Sequence, residues 1–219
     1  MLAALGLTSS DPVKEVNGKA WLAMMILKLS EIKRDDQGRI DTATYLNAMD
    51  DVSQIYSVLF STQFIVDQLR SDINGSCETV RRCMNEMPDG AGKTLQGIVQ
   101  HGMKTVPREE LVSDPKSSVR GTLWLNRACA FIVALLRGLE QGGTSSDAAT
   151  AAYEAELKPY HGFIAGTVVG KVMQYVPTAE EIMEKFGLQT KEEAKAQLEQ
   201  LLVLWEPLVL EIKASSMPH

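Results

Sequence analysis

Residues 117–141 read SSVRGTLWLNRACAFIVALLRGLEQ and are followed by Gly142 and Gly143. Apolar side chains recur here at three- and four-residue spacing, which is typical of an α-helix with a broad buried face. The two glycines can end such a helix, because glycine adopts the backbone conformation that terminates helices. The apolar stripe comprises Val119, Leu123, Trp124, Ala128, Phe131, Ile132, Leu135 and Leu136. The pattern predicts a long helix at the centre of the core.

The remaining chain shows helical periodicity in nearly every segment. Alternating runs of β-branched residues bounded by turns are missing, so we predict an all-α fold of about eight helices. Asp41 and Asp147 are predicted to cap helices, and Pro159 to kink one. Besides 117–141, the predicted helices span 13–33, 41–59, 62 or 71 to 86, 93–104, 147–175, 180–186 and 192–213.

Composition indicates an ordinary globular protein. The 219 residues are 45% hydrophobic and 23% charged, which fits one domain over residues 1–219. A net charge of −6 argues against nucleic-acid binding, because that binding depends on clustered lysine and arginine. Three cysteines without a CxxC pair indicate neither a disulfide framework nor a zinc site. No apolar run approaches a membrane span of about 18 residues, so we expect a soluble, cytoplasmic protein.

Two short patterns could indicate other functions, but neither matches its motif completely. Residues 90–94 read GAGKT, as at the end of a nucleotide-binding loop. The first glycine of that motif would be residue 87, which is methionine, and no strand is predicted before it. The three histidines share no metal-ligand spacing, and no nucleophile motif is present. We therefore expect no enzyme activity, cofactor or metal.

One face of the central helix carries side chains that run from a charged residue at one end to an apolar residue at the other. Arg120, Trp124, Arg127 and Phe131 follow at i, i+4, i+7 and i+11, so they lie on one side of the helix. An arginine can bind phosphate or polar headgroup oxygens, and an indole can stack on a sugar ring. The same pattern also fits a core stripe whose arginines reach out to solvent. Spacing alone leaves both interpretations open.

Three segments together point to one family. Residues 71–75 read SDING, residues 118–131 read SVRGTLWLNRACAF, and residues 152–164 read AYEAELKPYHGFI. These segments resemble, in the same order, the S/A-D-I-x-G, W-L-x-R and A-Y-x-x-x-L-x-x-Y-H-x-W/F-I motifs of the glycolipid transfer protein family. The resemblance covers most of the chain from about residue 40 onward.

The resemblance implies a two-layer helical sandwich that takes lipid chains into an apolar pocket and transfers sphingolipids between membranes without reacting. By motif, Asp72 would accept hydrogen bonds from the lipid amide and headgroup, and Trp124 would stack on the first sugar. His161 would bond the ceramide carbonyl. Phe131 would lead into the pocket for the lipid chains. Such groups would satisfy an amide that is otherwise costly to bury.

The family also carries an apolar pair that docks on membranes. Phe163 and Ile164 occupy that position, and an exposed aromatic can insert among lipid headgroups without spanning the bilayer. Core packing of both residues is the alternative. The resemblance therefore implies transient contact with a membrane surface.

Two positions depart from the family's glycolipid-selective pattern. Ser76 and Thr79 stand where those members carry an asparagine and a lysine that grip sugar hydroxyls. Members selective for ceramide-1-phosphate carry two arginines four residues apart on the signature helix, whereas this chain has Arg120 followed by Trp124. We assign Ser76, Thr79 and Arg120 to the headgroup site. A glycosylceramide is favoured over ceramide-1-phosphate, because one arginine makes a weak phosphate clamp.

Other function classes make different predictions. Ten methionines and an apolar final helix would also fit a helical module that binds partner helices rather than lipid. A lipid hydrolase would need a nucleophile and base in a recognisable arrangement, and the sequence shows none.

Overall fold

The computed structural model describes residues 16–107, 109–161 and 176–216. These ranges contain nine α-helices, linked in places by short 3₁₀ turns. The helices are α1 (Gly18–Ser30), α2 (Thr42–Met49), α3 (Tyr56–Leu59), α4 (Gln63–Glu86), α5 (Leu95–Thr105), α6 (Ser118–Glu140), α7 (Ser145–Glu156), α8 (Ala179–Lys185) and α9 (Lys191–Ser216). Two isolated bridges are the only β pairing within these ranges, which confirms the all-α prediction.

Helix α6 is the central element and matches the predicted segment 117–141 closely. It packs against α4, α5, α7 and α9, and Phe131 on its inner face is completely buried. By length and hydropathy α6 could cross a membrane, yet 72% of its most apolar window is buried inside the protein. Burial among four helices identifies it as the core helix of this fold.

Close approach of α6 to its neighbours depends on small residues. A Cβ added to Gly121 would lie 2.7 Å from the Thr79 methyl on α4, inside van der Waals contact. A Cβ added to Gly138 would lie 2.7 Å from Cβ of Ala148 on α7. Glycine at these two positions therefore sets the spacing of α6 from both helices.

Most helix starts follow local capping chemistry. The Asp41 carboxylate accepts a hydrogen bond from the Thr44 amide at 2.8 Å, which confirms it as the cap of α2. The predicted cap of α7 is wrong: Thr144 caps the helix by accepting from the Asp147 amide at 3.2 Å. Asp147 lies in the first turn instead, where its charge favours the helix dipole.

Polar contacts add to the packing of the first and last helices. The Trp21 indole donates to the Asp51 carbonyl at 2.8 Å, and its ring lies 6.1 Å from that of Phe186. Arg137 on α6 forms a bidentate pair with Glu206 on α9, with both distances at 2.8 Å. Partly exposed ion pairs contribute little on their own, so apolar burial supplies most of the stability.

Gly121→Ala tests the close approach of α6 and α4. An added methyl must displace Thr79, which destabilises the fold by about 1–3 kcal/mol. Alanine is more stable than glycine inside a helix by about 0.5–1 kcal/mol, which offsets part of that loss. We expect the free energy of unfolding to fall by about 0.5–2 kcal/mol, measured by urea denaturation followed by circular dichroism.

Gly75→Ala is the matched control, because Gly75 lies in α4 with no atom within 4 Å of an added Cβ. That variant should be as stable as the wild type or more so. Equal stability of the two alanine variants would contradict the role of Gly121.

Candidate functional site

Trp124 and His161 meet at the surface between α6 and the turn that follows α7. Their rings are stacked, with centroids 5.8 Å apart and planes inclined by 18°. His161 follows the 3₁₀ turn Lys158–Tyr160, in which Pro159 ends the helical run at the place where a kink was predicted. The Tyr153 hydroxyl lies 3.3 Å from His161 Nδ1. Trp124 and His161, which are 37 residues apart in the sequence, thus form one aromatic surface.

Asp72 lies on α4 close enough to His161 for the two charges to interact. Partial burial raises the pKa of the Asp72 carboxyl above its ordinary value, and a hydrogen bond from Gln68 at 3.1 Å and the charge of His161 oppose that shift. The carboxylate keeps further acceptor capacity, since each carboxylate oxygen can accept two hydrogen bonds. Asp72 can therefore still accept from a ligand.

The surroundings of His161 favour the neutral form of its imidazole at neutral pH. Burial lowers the pKa of His161 below its ordinary value of 6.5, and the nearby Arg127 cation lowers it further, while Asp72 raises it. A neutral imidazole carries one donor and one acceptor nitrogen. If Tyr153 donates to Nδ1, the proton lies on Nε2 and can be donated to a carbonyl.

Arg127 also belongs to this surface, although the sequence alone did not assign it a role. Its guanidinium carbon lies 3.4 Å from the centroid of the Tyr160 ring and 5.1 Å from that of Trp124. Burial lowers the pKa of Arg127, yet an arginine keeps its charge at neutral pH. The W-L-x-R pattern includes Arg127, but its contact with Tyr160 becomes visible only in the fold.

Arg120 lies on the same helix face but serves the preceding loop. Its Nη1 donates to the carbonyls of Val112 at 3.0 Å and Ser113 at 3.1 Å. Both hydrogens of that nitrogen are thereby used within the protein. Arg120 therefore holds the loop before α6 against the helix.

The hydroxyl groups of Ser76 and Thr79 donate their hydrogen bonds to carbonyls of the same helix, α4. Ser76 donates to the Asp72 carbonyl and Thr79 to the Gly75 carbonyl, both at 2.9 Å. The Thr79 methyl also lies under Gly121. Each hydroxyl retains only acceptor capacity, so these side chains offer a headgroup less than an asparagine and a lysine would.

The remaining predicted residues lie apart from this surface or beyond the described chain. Phe131 is fully buried in the main core, below the polar end of α6. Phe163 and Ile164 fall outside the described residues. In the described ranges no group of three or more His, Cys, Asp or Glu side chains is placed to hold a metal ion.

Comparison with known proteins supports one family. The glycolipid transfer protein (GLTP) family matches residues 40–188 of the chain. A glycolipid transfer protein from Aureobasidium melanogenum is 27% identical over 172 residues, which cover 78% of each protein.

Solved structures agree on the fold. HET-C2, a fungal glycolipid transfer protein, superposes with a TM-score of 0.74 at 21% identity, covering 89% of this chain and 95% of that one. Human ceramide-1-phosphate transfer protein in complex with 12:0 ceramide-1-phosphate gives a TM-score of 0.73 at 21% identity, covering 91% and 94%. The predicted helical sandwich of this type is thereby confirmed.

Titration of His161 tests the electrostatics of the site. Asp72→Asn removes a charge that favours the imidazolium, so the pKa of His161 should fall further. Arg127→Leu removes an opposing cation and should raise that pKa. Both shifts can be followed by NMR of the imidazole protons, with His161→Gln providing the assignment.

Asp67→Asn, five residues earlier on α4, should leave the titration of His161 unchanged. An unchanged His161 pKa in Asp72→Asn would show that the two groups are not coupled. Because the folded pKa lies below the ordinary 6.5, the unfolded chain takes up the proton first, and stability should fall as the pH drops below that value.

Proposed function

Because the chain belongs to the glycolipid transfer protein family, we propose that it binds one sphingolipid and carries it between membranes without chemical reaction. The observation that supports this most strongly is the stacked pair of Trp124 and His161 beside Asp72 at the end of the core helix. The arrangement combines a flat apolar ring with a hydrogen-bond donor and an acceptor.

The ceramide amide explains the need for Asp72 and His161. Its N–H requires an acceptor and its carbonyl requires a donor, and an unpaired buried amide costs about 1–3 kcal/mol for each group. A carboxylate and a neutral imidazole supply one of each. The lowered pKa of His161 keeps one ring nitrogen free of a proton, which lets Tyr153 act as its donor partner.

For the headgroup, we propose a simple glycosphingolipid. Trp124 is half-buried, and a sugar ring would stack on the part of the indole that His161 and Arg127 leave open. Arg120 already serves two loop carbonyls, which weakens it as a phosphate ligand. Ser76 and Thr79 would add only acceptors for sugar hydroxyls.

Ceramide-1-phosphate is the second candidate, and Arg127 favours it. A guanidinium stacked between Tyr160 and Trp124 is a fixed cation at the edge of the site, and guanidinium groups bind phosphate well. One structurally similar protein is described in complex with this lipid. Arg127 would then pair with the phosphate, with Arg120 nearby.

We further propose where the lipid chains bind and which residues contact the membrane. The lipid chains would enter the apolar interior near Phe131, and Phe163 and Ile164 would dock the protein transiently on a bilayer. All three cysteines are free and buried, as suits a reducing compartment such as the cytoplasm.

Vesicle-to-vesicle transfer of glucosylceramide tests the headgroup assignment. Trp124→Ala removes the stacking face and should slow transfer about tenfold, since such contacts contribute about 1.4 kcal/mol. Arg120→Leu should slow transfer by less than about threefold, because its bonds lie within the protein.

Trp124→Phe is the matched control, because it keeps a flat ring and should retain most of the transfer. The assay should be repeated with ceramide-1-phosphate and with Arg127→Leu. Preferential transfer of ceramide-1-phosphate, lost in Arg127→Leu but kept in Trp124→Ala, would contradict the glycolipid assignment and favour the second candidate.

A further inference from the structure

A half-open polar cavity, apart from the headgroup site, lies between the loop that joins α1 to α2 and the segment that precedes α5. Its volume is about 540 Å³, and its walls include four cations and two carboxylates. These are Lys33, Arg34, Arg39, Lys93, Asp35 and Asp41. We call it the basic cavity.

The basic cavity is separate from the lipid headgroup site. Helix α4 carries Asp72 at one site, and its last residue, Glu86, lies four residues before Gly90, the first residue of the segment that lines the other. Fourteen residues separate Asp72 from Glu86, which corresponds to about 21 Å along an α-helix.

Both carboxylates of the cavity are already engaged. Asp35 accepts from Arg39 Nε at 2.7 Å and from the amides of Gln37 and Arg39 at 3.0 and 2.9 Å. Asp41 accepts from the amide and the hydroxyl of Thr44, each at 2.8 Å. These bonds hold the loop that joins α1 to α2, and the start of α2, in shape.

The cations are only partly neutralised. Arg34 pairs with Glu211 on α9 through two bonds of 3.0 and 2.8 Å. Lys33 and Lys93 form no ion pair with any residue that the structure describes. Even with Glu211 included, cations exceed carboxylates here, in a protein whose net charge is −6.

The side chain of Lys93 lies against the glycine-rich segment 90–94. Gly90 has φ +71°, and the Lys93 side chain folds over it, with Cε 3.4 Å from the position a Cβ would take. Gly92 packs so closely that a Cβ would lie 2.3 Å from the Met84 carbonyl. The segment that resembled a nucleotide-binding loop thus holds a lysine at the wall of the basic cavity.

We propose that the basic cavity binds a phosphate monoester, either on a soluble metabolite or on a lipid headgroup. Such a group carries a charge of about −1.5 to −2 and three acceptor oxygens, while each lysine ammonium offers three donors. Lys33 and Lys93 would contact the phosphate directly. The volume exceeds that of a phosphate alone and lies within the range of small-molecule sites, roughly 300–1,000 Å³.

Inorganic phosphate is the first probe, titrated calorimetrically against chloride at matched ionic strength. Wild-type protein should bind it, and Lys33→Gln/Lys93→Gln should weaken binding by about tenfold or more. Lys19→Gln/Lys104→Gln removes the same charge from exposed positions outside the cavity and should bind as the wild type does.

Vesicles distinguish a lipid source from a soluble one. Cosedimentation with phosphatidylcholine vesicles containing 10 mol% phosphatidic acid is compared with the same vesicles containing phosphatidylglycerol, which carries a phosphodiester. A preference for phosphatidic acid that requires Lys33 and Lys93 assigns the cavity to a lipid headgroup; phosphate binding without that preference assigns it to a soluble ligand.

Unchanged responses to both probes in Lys33→Gln/Lys93→Gln, or no wild-type response to either probe, would overturn the proposal. Glucosylceramide transfer between uncharged vesicles should be the same in this variant as in the wild type. The result on the basic cavity is therefore independent of the result on sphingolipid transfer.

Discussion

Burial of α6 on nearly every side is the constraint on which the rest of the structure depends. Four helices surround it, and two of them approach closely because Gly121 and Gly138 have no side chain. Its half-exposed residues include Trp124 and Arg127 in the N-terminal half, and Arg137 and Glu140 near the C-terminus. The helix therefore joins the apolar interior to the polar surface around Trp124 and Arg127.

The side chains at the Trp124 end of α6 support one another through direct contacts. Trp124, His161 and Tyr153 hold one another by ring contacts and one polar contact, while Arg127 lies against Tyr160. Fixed side chains lose less conformational entropy when a ligand binds, which favours affinity. A headgroup bound at the proposed site would contact a donor, an acceptor, a ring and a cation that are held by neighbouring side chains.

Local patterns were sufficient to predict much of this protein. Periodicity predicted α6 to within a residue at each end, and side-chain chemistry predicted the Asp41 cap. Asp147 failed as a cap because Thr144, three residues earlier, offers a hydroxyl to the same turn. The Arg120 contact with residues 112 and 113 was missed, since helical spacing does not reveal how a loop returns to a helix. The basic cavity was missed for a similar reason, because Lys33 and Lys93 meet only through tertiary structure.

Sphingolipid binding is the central claim, and native mass spectrometry tests it most directly. The protein would be incubated with phosphatidylcholine vesicles that contain equal amounts of glucosylceramide and ceramide-1-phosphate, and then separated from them. The account predicts a one-to-one complex whose added mass is that of a sphingolipid, with glucosylceramide predominating. Protein that carries no lipid, or only phosphatidylcholine, would contradict it.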